Sequence, residues 1–191
     1  RFLPSYSVGV DCYKAIPEIV KPYGKKAVAV GGKTAMEKSK KALLEGIKGS
    51  DIEIIDFVWY GGDSSYENVE KIKNNPSVQK ADMVFGIGGG RAVDTAKTYC
   101  ALYNKPLFTF PTIASNCASC TSLSVMYNPD GTFKEYSYHK APAIHTFINT
   151  KIIAESPEKL MWAGIGDALS KEYEAVFSSK DDTLFHTPLM G

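Results

Sequence analysis

The sequence is short of several things, and each shortage closes off a class of function. No apolar run approaches the ~18 residues of a membrane-spanning helix, so none is expected. Charge of one sign is not in excess: 22 Lys and Arg stand against 21 Asp and Glu, for a net charge of +1. With the charges interspersed there is no electrostatic case for nucleic acid or an anionic membrane. Cysteine is sparse, four residues in 191, which argues against a disulfide scaffold and for a reducing cytoplasm. Histidine is sparser still. His139, His145 and His186 include no two that stand four apart, and none opens an H-E-x-x-H. Each is read as a surface or core residue. The first residues, RFLPSYSVGVD, lack the apolar core of a secretory leader. No internal repeat or low-complexity tract is visible. The composition that remains is that of a globular protein, 44% hydrophobic and 23% charged. The length suits one domain, or one domain and part of another.

What is present begins with residues 83–97, MVFGIGGGRAVDTAK. An apolar run, Met83 to Ile87, enters three glycines, Gly88, Gly89 and Gly90, and a helical pattern follows at once. A strand, a bare-backbone turn and a helix N-terminus together present amide N–H groups where a phosphate is stabilised. Glycine is expected there because a Cβ would hold the ligand off.

The rest of the chain repeats this alternation. Residues 5–10 read as a short edge strand and Tyr13 to Val20 as a helix flawed by Pro17. Ala27–Val30 reads as a buried strand ending in Gly31-Gly32, and Lys33 to Ile47 as an amphipathic helix. Ile52–Trp59 is the next strand. Ser64 or Ser65 caps a helix through about Asn74, with Glu67 completing a capping box. Leu107–Pro111 is a further strand. The β-α-β-α-β-α-β order argues a parallel sheet with helical crossovers. The rhythm then breaks at a loop of small residues, Thr112 to Cys120. Ser122–Tyr127 and Phe133–Tyr138 flank Asn128-Pro129-Asp130-Gly131 as a β-hairpin, and Ala143–Asn149 is a last strand. From Pro157 the pattern is helical. The expected division is therefore an α/β domain over 1–155 and the start of an α-helical domain over 156–191, the latter too short for a core of its own.

Several motifs are weaker than they look. The glycine turn has Arg91 where the third glycine of G-x-G-x-x-G belongs. AVAVGGKT, residues 27–34, is one residue short of a phosphate loop, and its first half is strand; the better reading is a strand end opening a helix. Cys117-Ala118-Ser119-Cys120 has no second pair to complete a zinc site and sits in a late loop rather than after the first strand. It reads as small residues packed in a tight loop. Asp167, in GIGDA, is an acid among apolar helical residues, read either as an N-cap or as a metal ligand aimed into a cleft.

Together, GIGGGRAVDTAK (86–97), FPTIAS (110–115), LSVMYNPDGTF (123–133) and AGIGDALSKEYEA (163–175) resemble the iron-containing alcohol dehydrogenase superfamily, and within it the glycerol dehydrogenase-like branch. The resemblance implies a dehydroquinate synthase-like fold: a parallel-sheet α/β nucleotide-binding domain, then an all-helical one, with the active site between them. It implies a metal-dependent NAD(P) oxidoreductase, passing hydride between the nicotinamide and a small alcohol, a polyol or a 2-hydroxy acid. Gly88, Gly89, Gly90 and Asp94 match the pyrophosphate-binding turn. Thr112, Ser115, Thr121, Leu123 and Tyr127 match cofactor contacts. Asp167 matches the first ligand of a divalent metal, Zn²⁺ or Fe²⁺, the other ligands being histidines of the helical domain. His186 matches a family histidine that precedes those ligands and is not assigned to metal.

Two positions depart from the branch. Cys117 stands where glycerol dehydrogenases carry an aspartate that contacts the polyol, and the surrounding loop is nearer to members acting on 2-oxo or 2-hydroxy acids. Gly32 stands where an acid holds the adenosine ribose, which removes a repulsion against a 2′-phosphate beside Lys33. A small-molecule substrate is the expected partner, with assembly into a homo-oligomer left open. The alternatives are a dehydroquinate synthase-like lyase using NAD transiently, against which the FPTIAS-to-hairpin run argues, and an inactive nucleotide-binding fragment.

Overall fold

The computed structural model describes residues 5–178. Its centre is a sheet of six parallel strands in the order β1-β8-β5-β4-β2-β3. These are β1 (Ser5–Val8), β2 (Lys26–Gly31), β3 (Glu53–Trp59), β4 (Met83–Gly88), β5 (Leu107–Pro111) and β8 (His145–Ile148). β6 (Leu123–Tyr127) and β7 (Phe133–Tyr138) form a separate antiparallel hairpin. Parallel pairing requires crossovers, and helices supply them: α2 (Lys33–Ile47) joins β2 to β3, α3 (Tyr66–Lys73) and α4 (Pro76–Lys80) join β3 to β4, and α5 (Gly90–Tyr103) joins β4 to β5. α1 (Ile16–Val20) precedes β2, while α6 (Thr150–Ala154) and the long α7 (Glu158–Ser178) follow β8. The expected α/β class with a parallel sheet is what is observed.

The period of two along the strands divides the core between the sheet's faces. Ala27, Ala29, Phe85, Phe108, Phe110 and Phe147 face one way and pack with Ile16 and Val20 of α1 and Leu43 and Ile47 of α2. Val28, Val30 and Val84 face the other way, against Val69 and Ile72 of α3 and Tyr99 and Cys100 of α5. Both faces are covered, which explains why β2 and β4 read as continuous apolar runs rather than alternating ones. A fully buried Phe contributes about 1.5–3 kcal/mol, and Phe85, Phe108, Phe110 and Phe147 all lie in one aromatic chain.

Several local expectations need correcting. The N-terminal helix is split into a 3-10 turn, Cys12–Ala15, and α1. Pro17 falls in the first turn of α1, where its missing N–H removes no helical bond. Ser65, not Ser64, caps α3 by accepting from the Asn68 amide. Glu67 is then one position too early to close a capping box. Strand β8 is shorter than 143–149, and β6 begins at Leu123, so Thr121 precedes the hairpin. Asp167 is no N-cap: it lies in the interior of α7. Two helices are too short to show a period in the sequence, α4 and α6, each capped by an asparagine (Asn75 and Asn149) accepting from the first-turn amides. Among the described residues no helix is long and apolar enough to cross a membrane. His186 lies outside the described residues.

Candidate functional site

β2 and β4 are neighbours whose crossovers leave in opposite directions, toward β3 and toward β5. Their carboxyl ends therefore bound the crevice in which open α/β sheets take ligands. Gly31 pairs with Ile87 there, and the Gly32 amide donates to the Ile87 carbonyl at 3.4 Å. Each strand runs straight into a long helix whose N-cap is a glycine, Gly32 for α2 and Gly89 for α5, and neither offers a capping side chain. By contrast α3, α4 and α6 are all capped by Ser or Asn side chains. Two bare helix N-termini thus stand side by side, with first-turn amides and the positive ends of two dipoles directed to one place.

The glycines of the turn are needed for reasons the sequence does not reveal. Gly88 has φ +136°, open to glycine at little cost. A Cβ on Gly89 would come within 2.6 Å of the Ile113 Cδ1, and one on Gly90 within 2.8 Å of the Asn116 Nδ2. The loop after β5 therefore roofs the turn, and the Thr112 amide ties it there through the Gly88 carbonyl. Ile113 and Asn116 were not singled out from sequence, since their role depends on a contact more than twenty residues away. Gly32 is different: a Cβ there would meet only Ala35 and Tyr60, at 3.8 and 3.9 Å. Nothing in the packing requires glycine at that position.

Asp94 is turned inward. Its Oδ1 lies 2.9 Å from the Lys97 Nζ, with both side chains almost wholly buried, and its Oδ2 accepts from the Val125 amide at 3.1 Å. Lys97 in turn donates to the Ala118 carbonyl at 2.7 Å, to the Thr121 hydroxyl at 3.2 Å and to the Leu123 carbonyl. Burial pushes the Asp94 carboxyl up and the Lys97 ammonium down, while their mutual attraction opposes both shifts. Asp and Lys three apart on a helix are neighbours, but the sequence pattern does not mark Lys97 as buried. The pair fastens the segment carrying Cys117, Thr121 and Leu123 onto α5. Tyr127 is half-buried at the end of β6, and the Arg91 guanidinium lies 4.8 Å from its ring centre and 3.5 Å from Asp63.

Ser115 and Cys117 lie on the roofing loop, half-buried and exposed respectively. α7 meets that loop at Gly164, where a Cβ would collide with the Ala114 carbonyl. Asp167 follows one turn later, half-exposed and 3.4 Å from Lys171. Among the described residues no three of His, Cys, Asp and Glu gather to hold a metal ion. Asp167 therefore offers one carboxylate and not a metal centre.

A doubly covered parallel sheet, with glycine turns at its switch point, defines a doubly wound α/β domain. The model of the family described as iron-containing alcohol dehydrogenase matches residues 4–148, and the chain belongs to that family. It is 31% identical over 170 residues to a glycerol dehydrogenase of Escherichia coli, covering 89% of this chain and 46% of that protein. It is 32% identical to hydroxycarboxylate dehydrogenase A of Escherichia coli, covering 88% and 44%. The crystal structure of glycerol dehydrogenase from Schizosaccharomyces pombe superposes with a TM-score of 0.80 at 30% identity, covering 93% of this chain and 45% of that one. The chain spans about half the length of the curated relatives it matches.

Proposed function

We propose that this chain is the nucleotide-binding half of a metal-dependent NAD(P) oxidoreductase acting on a small alcohol, a polyol such as glycerol or a 2-hydroxy acid. The observation that carries the reading is the pair of bare helix N-termini at the switch point, which suits a pyrophosphate. The amides around Gly88, Gly89 and Gly90 cradle that group, and Asp94 acts behind them by anchoring the hairpin. Thr112, Ser115, Thr121, Leu123 and Tyr127 flank the arm that reaches toward the substrate, and Cys117 faces the substrate itself. The nicotinamide supplies the hydride chemistry when bound. Of the metal, these residues offer the Asp167 carboxylate; a divalent ion such as Zn²⁺ or Fe²⁺ needs further ligands from elsewhere in the protein. The division into an α/β domain over 1–155 and a helical one from 156 fits a cleft between them, at the Gly164 contact. The relatives' names span glycerol and hydroxycarboxylates, and Cys117 in place of an acid favours the latter.

Gly32 makes the test clean. An aspartate there has room for its Cβ and is a good N-cap for α2, so folding is not put at risk. It also sets a negative charge at the proposed adenosine ribose. In the full-length protein, Gly32→Asp is expected to weaken NADPH binding by about tenfold or more while sparing NADH, read as dissociation constants from the fluorescence of the reduced nicotinamide. Equal affinities before and after the change would remove the cofactor from this crevice. Absorbance of NAD(P)H with glycerol and with 2-hydroxy acids then separates the substrate classes.

A further inference from the structure

The reading above uses Cys117 alone; its pairing with Cys120 in a C-x-x-C has no part in it, and the fold gives that pair a geometry. The Cys120 amide donates to the Cys117 carbonyl at 2.9 Å, closing a single 3-10 turn over Ala118–Cys120. A turn closed in this way brings its first and fourth Cα atoms within about 7 Å, inside or at the edge of the span that a disulfide bridges. Cys117 is exposed and Cys120 half-buried. The Lys97 ammonium holds the turn from beneath, through the Ala118 carbonyl and the Thr121 hydroxyl.

We propose that Cys117 and Cys120 are an oxidisable dithiol, which hydrogen peroxide converts to an intramolecular disulfide without unfolding the loop. The roles follow from exposure. The Cys117 thiolate meets the oxidant first and attacks one peroxide oxygen. The O–O bond breaks, the sulfur is oxidised to a sulfenic acid, and the second oxygen leaves, protonated, as water. Cys120 then displaces the sulfenic hydroxyl, which takes up the thiol proton and leaves as a second water as the S–S bond forms. The peroxide is reduced and the two thiols are oxidised. Lys97 favours the thiolate at Cys120 by its charge. Burial holds the Cys120 thiol above its ordinary value, which suits it to wait as the resolving partner.

The other two cysteines are internal controls. Cys12 and Cys100 are both buried. Burial pushes the Cys12 thiol up to about 11 and that of Cys100 higher still, so neither supplies a thiolate. The pair also sits on the loop that roofs the glycine turn, with the Asn116 side chain accepting from the Ala118 amide at 3.1 Å. Oxidation would therefore stiffen the loop beside the proposed cofactor crevice, although the chemistry itself needs no cofactor.

The test treats the full chain with hydrogen peroxide, alkylates the remaining thiols under denaturing conditions and maps the peptides by mass. The peptide bearing Cys117 and Cys120 is expected to lose two hydrogens and to regain them with dithiothreitol, while Cys12 and Cys100 are alkylated as free thiols. In Cys120→Ser, Cys117 is expected to gain two oxygens irreversibly instead, and in Cys117→Ser, Cys120 is expected to remain reduced. An oxygenated Cys117 beside a free Cys120 in the unsubstituted chain overturns the proposal. So does a bridge to Cys12, to Cys100 or to a second chain. Because the readout is mass alone, it stands or falls separately from dehydrogenase activity.

Discussion

Lys97 shows how much one buried charge can organise. Its ammonium meets the Asp94 carboxylate and oxygens of Ala118, Thr121 and Leu123, so it joins helix, loop and hairpin at one point. Replacing one member of a buried ion pair leaves the other charged in a low dielectric, a loss of about 3–5 kcal/mol. Lys97→Met is therefore expected to lower unfolding stability by about that amount in a denaturant titration. Adding Asp94→Leu is expected to recover most of the loss, since an apolar pair of similar volume is often neutral. A single substitution that costs less than ~1 kcal/mol would mean that water reaches the pair. The sequence displays Asp and Lys at helical spacing on α5, but not that both are buried. That fact depends on the hairpin being folded over them, and no local pattern reports it.

At the scale of elements, the edge strand β1 is held by a histidine. His145 on β8 sits between two serines of β1, with its Nδ1 2.7 Å from the Ser5 hydroxyl and its Nε2 2.9 Å from the Ser7 hydroxyl. Its ring lies against Phe147. Burial holds its pKa below the ordinary histidine value, as burial and then Lys97 do for His139. The folded state thus binds fewer protons than the unfolded state just below about pH 6.5. Stability is full above that pH and falls as the pH drops through the window toward the folded values. Unfolding curves from about pH 7 to about pH 5 are expected to show this decline, and His145→Gln is expected to flatten part of it. An unchanged slope would separate His145 from the acid response. Elements of this kind divide by what the sequence can convey. Long strands and helices, such as β4 and α2, were legible because their periodicity extends over many residues. The short α4 and α6 were not, although Asn75-Pro76 and Asn149 carry their caps. The crevice was legible as glycines, whereas its roof was not, because Ile113 and Asn116 matter only through contacts across the fold. Asp167 was legible as a functional candidate but not as a residue midway along α7.

The whole molecule is governed by the order of its strands. The chain builds outward from β2, first to β3, then back across to β4 and on to β5 and β8. This order places Gly32 and Gly89 side by side, which a reading of either glycine run alone does not foresee. It also pairs β1 and β8, the first and last strands of the sheet among the described residues, through the register Ser5↔His145 to Val8↔Ile148. During synthesis β1 therefore precedes its partner β8 by 140 residues. Loop closure across that interval is entropically slow, so the amides of β1 gain protection last. Truncated chains that stop before residue 145 are expected to exchange the amides of Ser5–Val8 freely in hydrogen-exchange measurements, and chains that extend past residue 148 to protect them. Protection in the shorter chains would mean that β1 finds another partner during synthesis. The order of translation thus keeps the candidate site's strands, β2, β4 and β5, ahead of the sheet edge that β8 and β1 complete beside β5.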